Sequence, residues 1–279
     1  MNRADEISRA RREEIVDLAE GVAGESVPVD PDHILRSRGD VALAYGSFGD
    51  AYDGLIERRD GTFWVYCNLD RTGHSDSPRA RFTLAHEAGH YFIDEHRNAL
   101  LSGRTKPHPS RSDYTSSELV EREADLFASH LLMPTTSFSR RMKKAGVGAS
   151  AILSLSELFG ASVTSTAIRY VGLVDHFCAV VKWGPDGYGW RWTSQEAWSG
   201  RYHRTIRDAS ALPRDSATAL ALRGESSKTG FIERGATASM WFDFVRAGGD
   251  RDQILMEQAI TLGAFGVLTL LFPAQLVAR

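Results

Sequence analysis

Hydrophobic positions along this chain follow two rhythms, one of helical and one of alternating period, and their order predicts an α+β protein. Ile7, Ala10, Ile15, Leu18, Ala19 and Val22 recur at helical spacing among alternating acids and bases through 4–23. That is an amphipathic helix whose single apolar stripe packs on the domain that follows or meets a partner. Pro28 and Pro31 break the chain, and a short helix restarts at Pro31 and ends near Gly39. Strand-like runs follow at 41–45, 52–57 and 62–67, with Asp60-Gly61 as a hairpin signal between the last two. The edge of such a sheet can take up an extended peptide by strand addition.

The next apolar body, Phe82, Leu84, Ala85, Ala88, Tyr91, Phe92 and Ile93, predicts a core-facing helix. A second helix-like run, 117–134, is closed by Pro134. Between them, 99–115 is too rich in Gly, Pro and Ser for regular structure and reads as a solvated loop bordering the cleft. Its Arg104, Lys106 and Arg111 can steer a substrate, and His108 is a further ligand candidate without fixed geometry.

Beyond the basic patch Arg140, Arg141, Lys143 and Lys144, the run 152–173 has helix-turn-helix form: an apolar helix, a turn at Gly160, and a second helix capped by Ser162 or Thr164. That second helix offers mostly Ser and Thr with Arg169, a thin set of phosphate and base contacts. Packing or protein contact is therefore favoured over DNA contact. Further strands are predicted at 177–183 and 188–193, joined by a Gly-Pro-Asp-Gly turn, and at 239–245 and 266–272 around a weaker helix at 216–222. Trp183, Trp190, Trp192, Trp198 and Trp241 in this α+β module serve core packing in preference to lining a sensor pocket.

The chemistry sits on the first core-facing helix, as His86-Glu87-Ala88-Gly89-His90. Residues four apart share a helix face, so His86 and His90 can ligate one metal while Glu87 projects toward a metal-bound water. Gly89, which costs about 1 kcal/mol relative to Ala in a helix, reads as room for another backbone or a substrate, or as tight helix packing. A catalytic zinc takes three protein ligands and keeps a position for water. The third is sought on 117–134, where Glu121, Ala124, Asp125 and Ala128 share a face whose small residues permit close approach. Glu121 is then the ligand, and Asp125 the partner that accepts the free ring N–H of His86 or His90. Glu123 and, less so, Glu118 remain alternative ligands. For the oxyanion, Tyr91, His96, Tyr114 and His130 are all candidates, and the residues do not choose among them.

Arg81-Phe82-Thr83-Leu84-Ala85-His86-Glu87-Ala88-Gly89-His90, followed by Glu121-Arg122-Glu123-Ala124-Asp125-Leu126-Phe127-Ala128-Ser129-His130-Leu131-Leu132-Met133-Pro134, resembles the ImmA/IrrE family of bacterial zinc metallopeptidases. The likeness extends over about 26–172. It implies a zincin-like, thermolysin-like site with His86, His90 and Glu121 as metal ligands, Glu87 as general base, and Asp125 where the family often has Asn. It also implies a protein substrate, a helix-turn-helix transcriptional repressor cleaved in a stress or mobile-element response. The expected division is an N-terminal amphipathic helix at 1–25, a zinc metallopeptidase domain at 26–145, a helix-turn-helix-like element at 146–174, and a regulatory or sensor-like α+β domain at 175–279.

Composition narrows the setting. With 42% hydrophobic and 25% charged residues in 279, the chain has the make-up of an ordinary soluble protein, and its net charge of −3 gives no global reason to bind nucleic acid. Cys67 and Cys178 stand far apart, no disulfide framework is expected, and a cytoplasmic location follows. The N-terminus lacks an apolar signal core, and the longest apolar run, 262–272, is too short to span a bilayer. The cofactor expected is Zn2+, although Mn2+ or Fe2+ can occupy similar ligand sets. A DNA-binding or ligand-sensing transcriptional regulator whose metal site is structural or vestigial is the alternative. Such a module has no use for Glu87 as a base, which favours the enzyme.

Overall fold

The computed structural model describes residues 7–103, 108–110, 118–194, 204–205, 209–243 and 253–277. The chain divides into two units, one of 1–140 with 156–162 and the other of 141–155 with 163–279. Among the described residues no single helix is long and apolar enough to cross a membrane.

In the first unit, α1 (Arg9–Ala23) starts where the Ser8 side chain accepts the Arg11 N–H, and it buries Ile15, Ala19 and Ala23. Asp30 caps α2 (Pro31–Arg36), with Pro31 in its first turn. Strands β1 (Val41–Gly46), β2 (Gly54–Arg59), β3 (Thr62–Asn68) and β4 (His108–Ser110) form a sheet in the order β1-β3-β2-β4. Only β1 and β3 run parallel. Asp60 and Gly61, at φ 51° and 85°, make the predicted hairpin turn, which needs positive φ at both places. Alternation along β3 puts Phe63, Val65 and Cys67 fully inside, where each large apolar side chain contributes roughly 1.5–3 kcal/mol.

The strand β4 corrects the reading of 99–115 as irregular. Pro109 suits it, because a strand at the edge of the sheet needs ladder bonds on one side only, here to β2. The same segment begins in α5 (Asp94–Leu101), a helix that follows α3 (Leu69–Thr72) and α4 (Pro78–Phe92). Arg104, Lys106, Arg111, Tyr114 and the side chain of His108 lie outside the described residues.

Ser77 caps α4 by accepting the Ala80 N–H, and Pro78 occupies its first turn. Against α4 lies α6 (Leu119–Leu132), which buries Glu121, Glu123, Ala124, Phe127, Ala128, Leu131 and Leu132. A Cβ at Gly89 would stand 3.1 Å from Ala124 Cα and 3.3 Å from Phe127 Cβ. Gly89 therefore serves the close approach of α6, the backbone it was expected to admit. On the other side α1 holds α6 at two points. Arg11 donates to Glu123 at 2.9 and 3.0 Å and to Glu95, while Glu20 accepts the Thr135 N–H at 2.8 Å and meets His130 Nδ1 at 3.1 Å.

Helices α7 (Thr135–Ala145) and α8 (Ala149–Phe159) each have residues in both units. A turn at Gly160, φ 60°, leads from α8 to α9 (Val163–Leu173). In the second unit α9 packs on β5 (Ala179–Gly184) and β6 (Gly187–Thr193). Its Thr166, Ala167, Tyr170 and Val171 are buried, and Thr164, Ser165 and Arg169 are half-buried.

The rest of the second unit comprises β7 (Arg204–Thr205), α10 (Ala217–Leu222), β8 (Phe231–Thr237), α11 (Ala238–Trp241), β9 (Phe242–Asp243), β10 (Ile254–Thr261) and β11 (Val267–Pro273). Its main sheet runs β6-β5-β11-β10-β8, all antiparallel. Of the expected strand at 239–245, the described residues 239–243 are the end of a helical turn and two residues of strand, and 244–245 lie outside the described residues. The strands β8 and β10 went unread because Glu233 and Arg234 interrupt one and Glu257 and Gln258 the other. Glu257 is fully buried and accepts the Thr218 N–H at 2.7 Å, an inward carboxylate that breaks the hydrophobic rhythm. Trp183 and Trp241 are core residues, Trp192 is half exposed on β6, and Trp198 lies outside the described residues.

Candidate metal centre

Two helices assemble the site. One turn of α4 brings the Nε2 atoms of His86 and His90 to 3.1 Å from each other, and α6 brings the Glu121 carboxylate to 3.2 Å from the first and 3.3 Å from the second. Ligands held about 2.0–2.1 Å from a tetrahedral zinc are separated by edges of about 3.3 Å. The His86–His90 spacing is close to that edge, Glu121 turns Oε2 to His86 and Oε1 to His90, and one ligand atom from each residue lies within 4.8 Å of the others, so the donor set fits a zinc ion in size and in chemistry. All three side chains are buried, and they form the candidate metal group found among the described residues.

Asp125, one turn after Glu121, meets His86 Nδ1 at 2.9 Å. A carboxylate in that position accepts the Nδ1–H, so Nε2, which faces Glu121 and His90, is the ring atom left for a metal once its own proton is lost. Burial disfavours the charged form of His86, but Asp125 and Glu121 outweigh it and push its pKa up to about 10. Burial likewise opposes the Glu121 carboxylate, and the two histidines overcome it and hold its pKa well below the usual range. The group thus has a strong affinity for positive charge at its centre, whether protons or a cation supply it. Asp125→Ala is expected to weaken zinc binding about 10- to 100-fold while the fold persists, as measured by competition with a chromogenic chelator.

Glu123, the alternative ligand, belongs to a different contact. It bonds His96 Nε2 at 3.0 Å and accepts from Nε and Nη2 of Arg11, and so ties α6 to α5 and α1. Burial lowers the His96 pKa to about 4, with the charge of His90 acting in the same sense. Glu118 is exposed.

Glu87 is fully buried beside His86 and turns toward the sheet. Its Oε1 meets the hydroxyl of Ser110 on β4, and a Cβ at Gly54 on β2 would stand 2.5 Å from that oxygen and 2.5 Å from Thr83 Cγ2. The start of β2 is itself pinned, since Asp53 accepts from Arg71 at 2.5 Å and from Arg79 of α4 at 2.8 Å. Gly54, Ser110 and Asp53 were not legible as site residues. Only the glycine within a strand, a sign of close approach, pointed that way.

Of the oxyanion candidates, Tyr91 donates to Asp40 at 2.7 Å and His130 faces Glu20, so both serve structural contacts. His96 lies beside His90, with ring centroids 5.2 Å apart and the rings tilted by 39°. Tyr114 is outside the described residues.

Residues 72–170 match the family described as the IrrE N-terminal-like domain, a peptidase family, and this stretch of the chain is of the ImmA/IrrE type. No curated protein matches the chain. A solved structure, a Mycobacterium tuberculosis transcriptional regulator, is similar over 97% of this chain and 78% of its own, with a TM-score of 0.59 at 10% identity. At that identity the likeness speaks for the fold.

Proposed function

We propose that the chain is a zinc endopeptidase that cleaves a helix-turn-helix transcriptional repressor at a specific bond and so relieves repression in a stress or mobile-element response. The observation that carries this reading is the buried convergence of His86, His90 and Glu121, one ligand atom of each within 4.8 Å of the others, with Glu87 buried beside them. A structural zinc takes a fourth protein ligand, whereas the group found among the described residues has three. Zinc in this position would polarise the scissile carbonyl and lower the pKa of a water toward about 7. Glu87 takes the proton from the attacking water and passes it to the leaving amine. Asp125 fixes the tautomer and orientation of His86. Mn2+ or Fe2+ in the cell would use the same ligands.

The test is direct. The zinc-loaded full chain, incubated with the helix-turn-helix regulator encoded beside it in the genome, is expected to yield two fragments whose masses sum to the regulator plus one water. A chelator should stop the cleavage. A regulator left intact with zinc, manganese and iron alike would remove the endopeptidase reading.

A further inference from the structure

We propose that Ser110 is a positioning residue for Glu87, and that β4 together with Gly54 forms a cradle that aims the base carboxylate. This rests on the reading of Glu87 as the base. Ser110 is 2% exposed, and its hydroxyl reaches two oxygens, Gly54 O at 3.0 Å and Glu87 Oε1. A hydroxyl carries one hydrogen, and the carboxylate is the stronger acceptor of the two. Because the hydroxyl also accepts, the contact persists whichever of the two oxygens holds the hydrogen.

The backbone around Ser110 is held independently of Glu87. Ser110 pairs with Gly54 across the β2–β4 ladder, and its carbonyl accepts the Asp53 N–H at 3.0 Å. Asp53 is in turn gripped by Arg79, two turns before Glu87 on the same helix. The hydroxyl is therefore placed by the sheet, and the helix that carries the base is tied to that sheet twice. Gly54 completes the cradle by omission, since any side chain there would occupy the space of the carboxylate.

The cradle can be tested on the zinc-loaded full chain with a peptide hydroxamate, a probe that chelates the metal and hydrogen-bonds the carboxylate beside it. Ser110→Ala is expected to keep one zinc per chain, to bind the probe about tenfold more weakly, and to lose repressor cleavage by a similar factor at unchanged KM. Ser110→Thr, which keeps the hydroxyl, should recover probe binding to within about twofold. Probe affinity in Ser110→Ala equal to that of the parent, with Glu87→Gln weakened, would overturn the role of Ser110 alone. Unchanged affinity in Glu87→Gln would remove the reading of Glu87, and the positioning role with it. If Ser110→Ala does not take up zinc, Gly54→Ala decides: its Cβ must displace the carboxylate, and undiminished probe binding there overturns the cradle equally.

Discussion

Glu87→Gln is expected to keep one zinc per chain and to slow repressor cleavage by about 10²–10⁴-fold, the contribution of a positioned general base. The substitution is nearly isosteric at a side chain that is fully buried, and its amide oxygen can still accept from Ser110. What it loses is the capacity to take a proton from water. His86, His90 and Glu121 hold one another without Glu87, so the metal content should not change. Single-turnover cleavage followed by mass spectrometry, with zinc counted in the same sample, separates these effects. Cleavage at the parental rate in Glu87→Gln would sink the mechanism.

The second large effect concerns Glu121, the proposed ligand on α6. Glu121→Ala is expected to weaken zinc binding more than about 100-fold, beyond the effect of losing an outer partner such as Asp125, and to abolish cleavage at stoichiometric zinc. Glu123→Gln is the discriminating control, because Glu123 is spent on Arg11 and His96 and its loss should leave stoichiometric zinc in place. Retention of zinc in Glu121→Ala with loss in Glu123→Gln would reverse the assignment.

The same site has a pH dependence whose sign follows from His86. Its pKa is pushed up to about 10, so near pH 7 a proton must leave before a cation can take the lone pair. Zinc affinity should therefore rise with pH, close to tenfold per unit between about 6 and 8, and binding should release about one proton. Calorimetry in buffers of different ionisation enthalpy measures that release. Asp125→Ala removes one of the carboxylates that raise this pKa, so the slope should flatten.

The local features of the site could be read from the chain because they obey local rules. His86 and His90 share a face by helical period, and Glu121 with Asp125 repeats that spacing on a face whose Ala124 and Ala128 admit a close neighbour. The hairpin at Asp60-Gly61 and the strands β1, β3, β5, β6 and β11 were equally legible, since turn chemistry and apolar runs act within a few residues. The strands β8 and β10 were not. Glu257 and Gln258 accept from the backbone N–H of residues distant in sequence, Thr218 and Ala149, and no local pattern announces an inward carboxylate.

The sequence by itself thus determined which residues can share a face, and from that the donor chemistry of His86, His90 and Glu121 and the α+β order of elements. Tertiary structure alone decided which acid each partner receives. The pairing of Asp125 with His86, of Glu123 with Arg11 and His96, and of Glu87 with Ser110 depends on where α4, α6, α1 and β4 meet. Those meetings are set by packing between segments far apart in the chain, such as Gly89 on Ala124 and Gly54 on Glu87, where a single missing Cβ fixes the distance of approach.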